Sequence, residues 1–248
     1  MYNTGENHWD RFKTWPLSCD SGCPFGLTPI FPAASGTLSF DAGAAGGDSY
    51  ISDPDKPVPH LPRPVNFDDG RWGDWLVSDQ RGVDGRPDVM TYETGVLTKA
   101  VRVSGTPIAD ILAKTTGTDV DFVVKIIDVF PDEVASDEKM GGYELPISLD
   151  IFRGRYRDSF AKPSAIPAGK VQRYRFRLPT VNHVFQPGHR IMVQVQSSLF
   201  PLYDRNPQTF VNIAQAKPED FRKATQRVHR GANAASAITV HVLPAKKP

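Results

Sequence analysis

Cysteine is nearly absent: the 248 residues hold two, Cys19 and Cys23. A C-x3-C pair needs two more ligands to hold zinc, and no nearby histidine pair supplies them, so no metal is assigned. The spacing leaves two states open, a small local disulfide or two free thiols, because pairing depends on an oxidising compartment. No apolar run approaches the roughly 20 residues that span a bilayer, so no membrane partner is expected. Met1 to Trp15 lacks the basic and apolar regions of a signal peptide. Charge of one sign is lacking too. With 29 basic and 28 acidic side chains the formal net charge is +1, which removes the attraction that nucleic-acid binding rests on.

Catalytic motifs are also missing. A hydrolytic serine needs a strained turn such as G-x-S-x-G to lift its Oγ above a sheet. Ser35 and Ser104 precede glycines, but no glycine sits two residues before either. The six histidines (His8, His60, His183, His189, His229, His241) show no ligand spacing such as H-x3-H and are read as surface or turn residues. Asp119 and Asp121 lie at strand spacing and could form a calcium or acid/base pair, but are read as two exposed acids at the start of a strand. Asp68 and Asp69 before Gly70 make a turn. No cofactor is implied, and composition and spacing alone give no active site.

What is abundant is glycine (20) and proline (22). The excess is too small for disorder but points away from a helical bundle and toward an all-β protein with many turns. Nine prolines run from Pro16 to Pro64, with a Gly-rich stretch at Ala42 to Gly47 and one convincing short strand at Thr37 to Phe40. Runs such as Asp53-Pro54-Asp55-Lys56-Pro57-Val58-Pro59 suit neither helix nor central strand. They predict an extended arm wrapped over something else. Trp9, Trp15, Trp72 and Trp75 fall in or beside this arm and call for a covering surface.

From Asp88 onward β patterns take over. Strands are expected at Val89–Thr94, Ala100–Ser104, Ile108–Lys114, Val171–Leu178, His189–Ser197 and Ala237–Leu243. Asp121–Phe130 is a nearly continuous apolar run, expected as a central strand buried on both faces and ended by Pro131. Leu149–Tyr156 is ambiguous; Asp220–His229 has helix-like charges, but Thr225-Gln226-Arg227-Val228 favours a strand. Eight to ten strands without amphipathic helices between them indicate a two-sheet sandwich, a jelly roll. Arg173, Arg175 and Arg177 form a row that could grip an acidic partner, but are read as the solvated face of a sheet. The densest polar cluster follows the 189–197 strand, from Gln196 to Pro207. It is read as a rigid crossover in which Asp204 and Arg205 satisfy backbone groups and Phe200 plugs the core.

That cluster also carries a resemblance. Ser197-Ser198-Leu199-Phe200-Pro201 with Asp204-Arg205-Asn206-Pro207, flanked by Pro187-Gly188-His189-Arg190 and Ser236-Ala237-Ile238, is similar to the C-terminal β domain of the X-Pro dipeptidyl-peptidase and CocE/NonD serine hydrolases. Tyr2-Asn3-Thr4-Gly5-Glu6-Asn7 with Trp9 fits the same pattern, as do Val101 to Gly105 and Thr118 to Phe122. Ile151-Phe152-Arg153-Gly154-Arg155-Tyr156 suggests the branch of α-amino acid ester hydrolases and glutaryl-7-aminocephalosporanic acid acylases.

The resemblance implies a galactose-binding-like jelly roll over residues 88–248. Residues 21–87 would be the wrapping arm, and residues 1–20 the trailing end of an α/β-hydrolase domain. It implies that the Ser-His-Asp triad lies in that preceding domain, the chain's partner, and that no triad residue has a match here. The family's jelly roll helps wall the substrate pocket, which would fall to Asp79, Gln80, Arg81, Met90 and Tyr92. Export of many relatives favours a Cys19–Cys23 disulfide and a periplasmic or secreted location, and the family's habit of oligomerising makes a homo-oligomer a candidate state. The competing expectation is a free-standing β-sandwich binding or assembly module.

Overall fold

A computed structural model describes residues 1–15, 26–61, 64, 71–231 and 236–244. Cys19 and Cys23 lie outside the described residues. The regular elements are strands and short 3-10 turns: β1 (Tyr2–Asn3), β2 (His8–Trp9), β3 (Gly26–Pro32), β4 (Leu38–Ser39), β5 (Gly46–Ser52), β6 (Met90–Glu93), β7 (Val101–Gly105), β8 (Ile108–Thr115), β9 (Asp121–Val129), β10 (Glu144–Arg153), β11 (Gln172–Arg177), β12 (Val181–Phe185), β13 (Arg190–Gln196), β14 (Ala224–Arg230) and β15 (Ala237–Leu243).

Two sheets make a sandwich. One runs β10-β9-β13-β6; the other runs β12-β7-β15-β8-β14-β5, with β11 also on β8, and β3 joining β15 to β4. The pairings are antiparallel throughout. Between the sheets lies one core, to which β9 gives Phe122, Val124 and Ile126, β13 gives Ile191, Val193 and Val195, and the larger sheet gives Ile111, Tyr174, Val228 and Ile238. Each fully buried side chain of this size contributes about 1.5–3 kcal/mol.

All nine residues of β9 are buried, as a central strand with two covered faces requires. Its outer face carries Lys125, Ile127 and Val129, the last two clustered with Met192, and meets the segment after β5 at Lys125. There Val58, Val83 and Val89 pack together, and Gln80 reaches Lys125.

The proline-rich region departs from the expectation of one short strand. It contains β3, β4 and β5, and β5 pairs with β14 over seven residues. Proline is tolerated in β3 because only Phe31 and Pro32 meet β4, leaving most of its other side as a sheet edge. The Gly-rich stretch ends in a strand because the partner backbone comes close: a Cβ on Gly47 would lie 2.8 Å from the Val228 carbonyl oxygen. A further strand, β12, was hidden in the sequence because Asn182 and His183 interrupt its apolar pattern, yet all five residues are buried.

Candidate functional site

The Gln196–Pro207 segment leaves β13 and fastens the covering segment to the sandwich. Ser198 Oγ accepts a hydrogen bond from the Val58 N–H at 2.8 Å. The Phe200 N–H donates to the Val58 carbonyl, and the His60 N–H donates to that of Phe200, each at 3.0 Å. Phe200 does not plug the core; it is partly exposed, and Leu199 is the buried residue. Chain direction explains this, since the parallel bridge of Pro59 to Phe200 holds Phe200 against the covering segment. Pro201 is exposed and Pro207 buried.

Arg205 donates to the Pro54 carbonyl at 2.9 Å and lies over the Phe221 ring at 4.7 Å. Asp204 pairs with Arg153, whose Nε lies 3.6 Å from Asp121. Asn206 Nδ2 donates to Asp121 Oδ1 at 2.8 Å, while its own Oδ1 accepts from the Gln208 N–H.

Asp119 and Asp121 are not exposed acids. They are 0% and 1% exposed, because each has a cationic partner to compensate its burial: Arg155 makes a two-pronged contact with Asp119. Burial still pushes the Asp121 carboxyl up to about 7, against the opposing pull of Arg153 and Asn206.

A second cluster sits where the covering segment crosses the outer face of the smaller sheet. A pocket of about 170 Å³ is lined by Pro59, His60, Leu61, Ser78, Asp79, Gln80, Gly82 and Val83. Asp79 caps the 3-10 turn Gln80–Gly82 by accepting from the Arg81 N–H. It also accepts from Arg81 Nε at 2.7 Å and the Glu144 N–H at 3.3 Å. Burial pushes the Asp79 carboxyl up, but these donors outweigh it and hold the carboxyl below its ordinary range.

Beneath the pocket, Lys125 is 1% exposed and donates to Gln80 Oε1 at 2.7 Å and Gln194 Oε1 at 3.3 Å. Burial lowers its ammonium to about 7, with Glu144 pulling the other way. Glu144 is raised to about 8 by burial and by the nearby charges of Asp84, Asp79 and Glu93. Asp79 and Gln80 therefore line this pocket, while Arg81 is bonded to Asp79 beside it. Met90 and Tyr92 do not join them: their side chains point into the core between the sheets, where the Tyr92 hydroxyl donates to Asp48 at 3.1 Å.

Sequence reasoning missed a third arrangement. Thr4 Oγ1 lies 2.7 Å from His183 Nδ1, and His183 Nε2 lies 3.1 Å from Asp128 Oδ2. His189 Nδ1 approaches the other oxygen of Asp128 at 2.9 Å. Burial raises the Asp128 carboxyl, but the two histidines outweigh it and lower it. His183 is thus buried rather than a surface residue, as is His60; each gains a polar partner inside.

Hydroxyl, imidazole and carboxylate have the order of a hydrolytic triad, but the donors an oxyanion would need are already engaged. The Thr4 N–H bonds to the Asn182 carbonyl, and the Gly5 and Glu6 N–H groups bond to Asn3 Oδ1. The array pins the β1–β2 hairpin to β12. Only the distant pairing of residue 4 with residue 183 in the fold reveals it.

Together these features define a β-sandwich whose polar clusters join segments distant in sequence. The chain belongs to the X-Pro dipeptidyl-peptidase C-terminal non-catalytic domain family, whose model matches residues 2–239. It is 36% identical over 248 residues to a cocaine esterase of Rhodococcus sp. (strain MB1 Bresler), covering 98% of this chain and 41% of that protein. Among solved structures it is similar to an α-amino acid ester hydrolase, with 57% identity and a TM-score of 0.94 over 97% of this chain and 40% of that one. It is also similar to an aminopeptidase from the marine sediment archaeon Thaumarchaeota archaeon, with 49% identity and a TM-score of 0.92 over 98% and 40% of the two chains. The chain thus spans about two fifths of the length of these relatives, so in full-length relatives this domain goes with a further, N-terminal part.

Proposed function

We propose that this chain is the C-terminal sandwich of a serine acyl hydrolase acting on amino-acid esters, β-lactam amides or X-Pro peptides, and that it packs on an α/β-hydrolase catalytic domain. The observation that carries this reading is the β1–β2 hairpin. It is fixed to the sandwich through Thr4 and His183, yet it presents Trp9 74% exposed, with Tyr2 edge-on at 5.4 Å. A rigid aromatic pair on a pinned hairpin is suited to a neighbouring domain. In this reading residues 1–20 end the hydrolase domain, residues 21–87 complete one sheet and cover the other, and residues 88–248 supply most of the core, to which Ile30, Leu38 and Tyr50 add. The Asp79–Arg81 turn faces outward beside Leu76 and Val77, both about half exposed, and walls one side of the substrate pocket.

The test is to assay the isolated chain on an amino-acid ester, alone and with an α/β-hydrolase domain supplied in trans. No turnover alone and turnover on addition is the expected result. Turnover by the isolated chain that serine-directed reagents abolish overturns the reading. So does the absence of a G-x-S-x-G coding segment both upstream and in adjacent genes.

A further inference from the structure

The arginine row takes no part in the clusters described above, and it borders a second cleft. β10 pairs with β9 and β11 with β8, so among the described residues each leaves one side as a sheet edge. Where the two edges meet, Phe152 and Phe176 stack nearly parallel, with centroids 5.1 Å apart at 10°. Phe160 stands over them, edge-on to Phe152 at 6.1 Å, and is 81% exposed. The loop bearing Phe160 is not loose: Arg157 donates to the carbonyls of Gly154, Ser164 and Ala165. The cleft holds about 440 Å³ and is lined by Asp150, Ile151, Phe152, Phe160, Arg175, Phe176 and Arg177. That volume lies within the ordinary range for small-molecule sites.

Its walls carry charges of both signs in a set order. Asp150 and Phe152 are two residues apart on β10, and so share a face, while Arg175 and Arg177 flank Phe176 on β11. Asp110 engages Arg173 and, at 3.6 Å, Arg175. Arg177 has no ion-pair partner among the described residues. Burial raises the Asp150 carboxyl, which has no ion-pair partner among the described residues; its Oδ1 accepts from the N–H of Ile151. A ligand that stacks a ring on the phenylalanines and brings a carboxylate to Arg177 and an ammonium to Asp150 would satisfy each unmet group.

We propose that this cleft is a binding site for a free aromatic α-amino acid, separate from any substrate pocket beside Asp79. The ring would be held by Phe152, Phe160 and Phe176, the carboxylate by Arg177 and the ammonium by Asp150. Neither charge alone accounts for the lining, since a plain carboxylate leaves Asp150 facing an anion and a plain amine leaves Arg177 idle.

Calorimetric titration of the 248-residue chain with L-phenylalanine tests this. The expected Kd is about 2 mM, the affinity of about twelve non-hydrogen atoms at ordinary ligand efficiency. 3-Phenylpropionate, phenethylamine and L-leucine are each expected to bind at least about fivefold more weakly, a loss typical of one missing contact. Arg177→Gln and Phe160→Ala, both at exposed positions, are expected to weaken L-phenylalanine by a similar factor, with Arg173→Gln unchanged. Asp150→Asn is expected to erase the preference for L-phenylalanine over 3-phenylpropionate. Absence of saturable binding up to about 20 mM, ten times the expected Kd, overturns the proposal. So does equal binding of all four ligands, or L-phenylalanine binding that is indifferent to Arg177→Gln and Asp150→Asn in variants whose thermal midpoints match the parent. A dimer that Phe160→Ala dissolves, without ligand binding, makes the cleft a self-interface and equally overturns it.

Discussion

Arg205 donates from Nη1 to the carbonyl oxygen of Pro54, 2.9 Å away, joining residues 151 positions apart. Pro54 has no N–H of its own and sits where the chain leaves β5 to cross the smaller sheet. The same guanidinium lies over Phe221, so one side chain ties the covering segment, the Gln196–Pro207 segment and the approach to β14. Arg205→Ala is expected to destabilise the chain by about 1–3 kcal/mol, from the lost charged hydrogen bond and ring contact. Arg205→Lys is expected to recover less than half of that, because a point charge cannot keep both contacts. Denaturant midpoints for the three proteins check this.

The pH dependence of stability follows from Glu144 and Lys125. A carboxyl raised from its ordinary value to about 8 binds its proton more tightly in the folded state. Stability therefore falls as pH climbs through the window between those values. Lys125 works in the other direction. Its ammonium, lowered to about 7, releases its proton more easily in the folded chain, so stability rises from about pH 7 toward the ordinary lysine range. Between pH 5 and 7 the Glu144 effect dominates of the two, reinforced by Asp121, which is raised to about 7. Glu144→Gln is expected to flatten the decline between pH 5 and 8. Chemical denaturation at four pH values measures it, and an unchanged slope in the variant refutes this account of Glu144.

The hairpin pin gives a local prediction. Thr4→Val keeps the shape of the side chain but removes the hydroxyl from His183. A cost of about 1 kcal/mol is expected, confined to the hairpin. Hydrogen exchange should report it as faster exchange at the Thr4 N–H, which bonds to the Asn182 carbonyl, with β9 amides unchanged. His183→Ala is expected to cost more, because Asp128, beside His189, loses one of its two compensating partners inside the protein.

These networks separate what the sequence makes legible from what it does not. β9 could be read because Phe122, Val124 and Ile126 form an apolar run whose chemistry is local. The exposure of Arg173, Arg175 and Arg177 could be read from alternation alone. The burial of Asp119, Asp121 and His183 could not, because each polar group is tolerated through a partner distant in sequence: Arg155, Asn206 and Asp128. Pattern reasoning treats a polar residue as a vote for the surface, and it fails where the fold supplies the partner. The same holds for β5, whose glycines signal a turn until Val228 is seen lying against them. The resemblance singles out Asp79 and Gln80, but no local pattern brings His60 to Gln80.

Trp9 provides the sharpest test of the proposed pairing with a hydrolase domain. Being mostly exposed, with Tyr2 as its ring neighbour among the described residues, it contributes little to the isolated fold, so Trp9→Ala is expected to change stability by no more than about 0.5 kcal/mol. If the hairpin docks on a catalytic domain, the same substitution removes an aromatic anchor, and interface anchors of this kind are worth on the order of 2 kcal/mol or more. Binding to a hydrolase domain supplied in trans should then weaken at least about thirtyfold. Tryptophan emission offers an independent reading, since the exposed indole should shift to the blue on docking and the variant should lose that shift. Unaltered affinity in Trp9→Ala would place the interface elsewhere on the sandwich. A large loss of stability in the isolated chain would mean that the indole is anchored within its own domain.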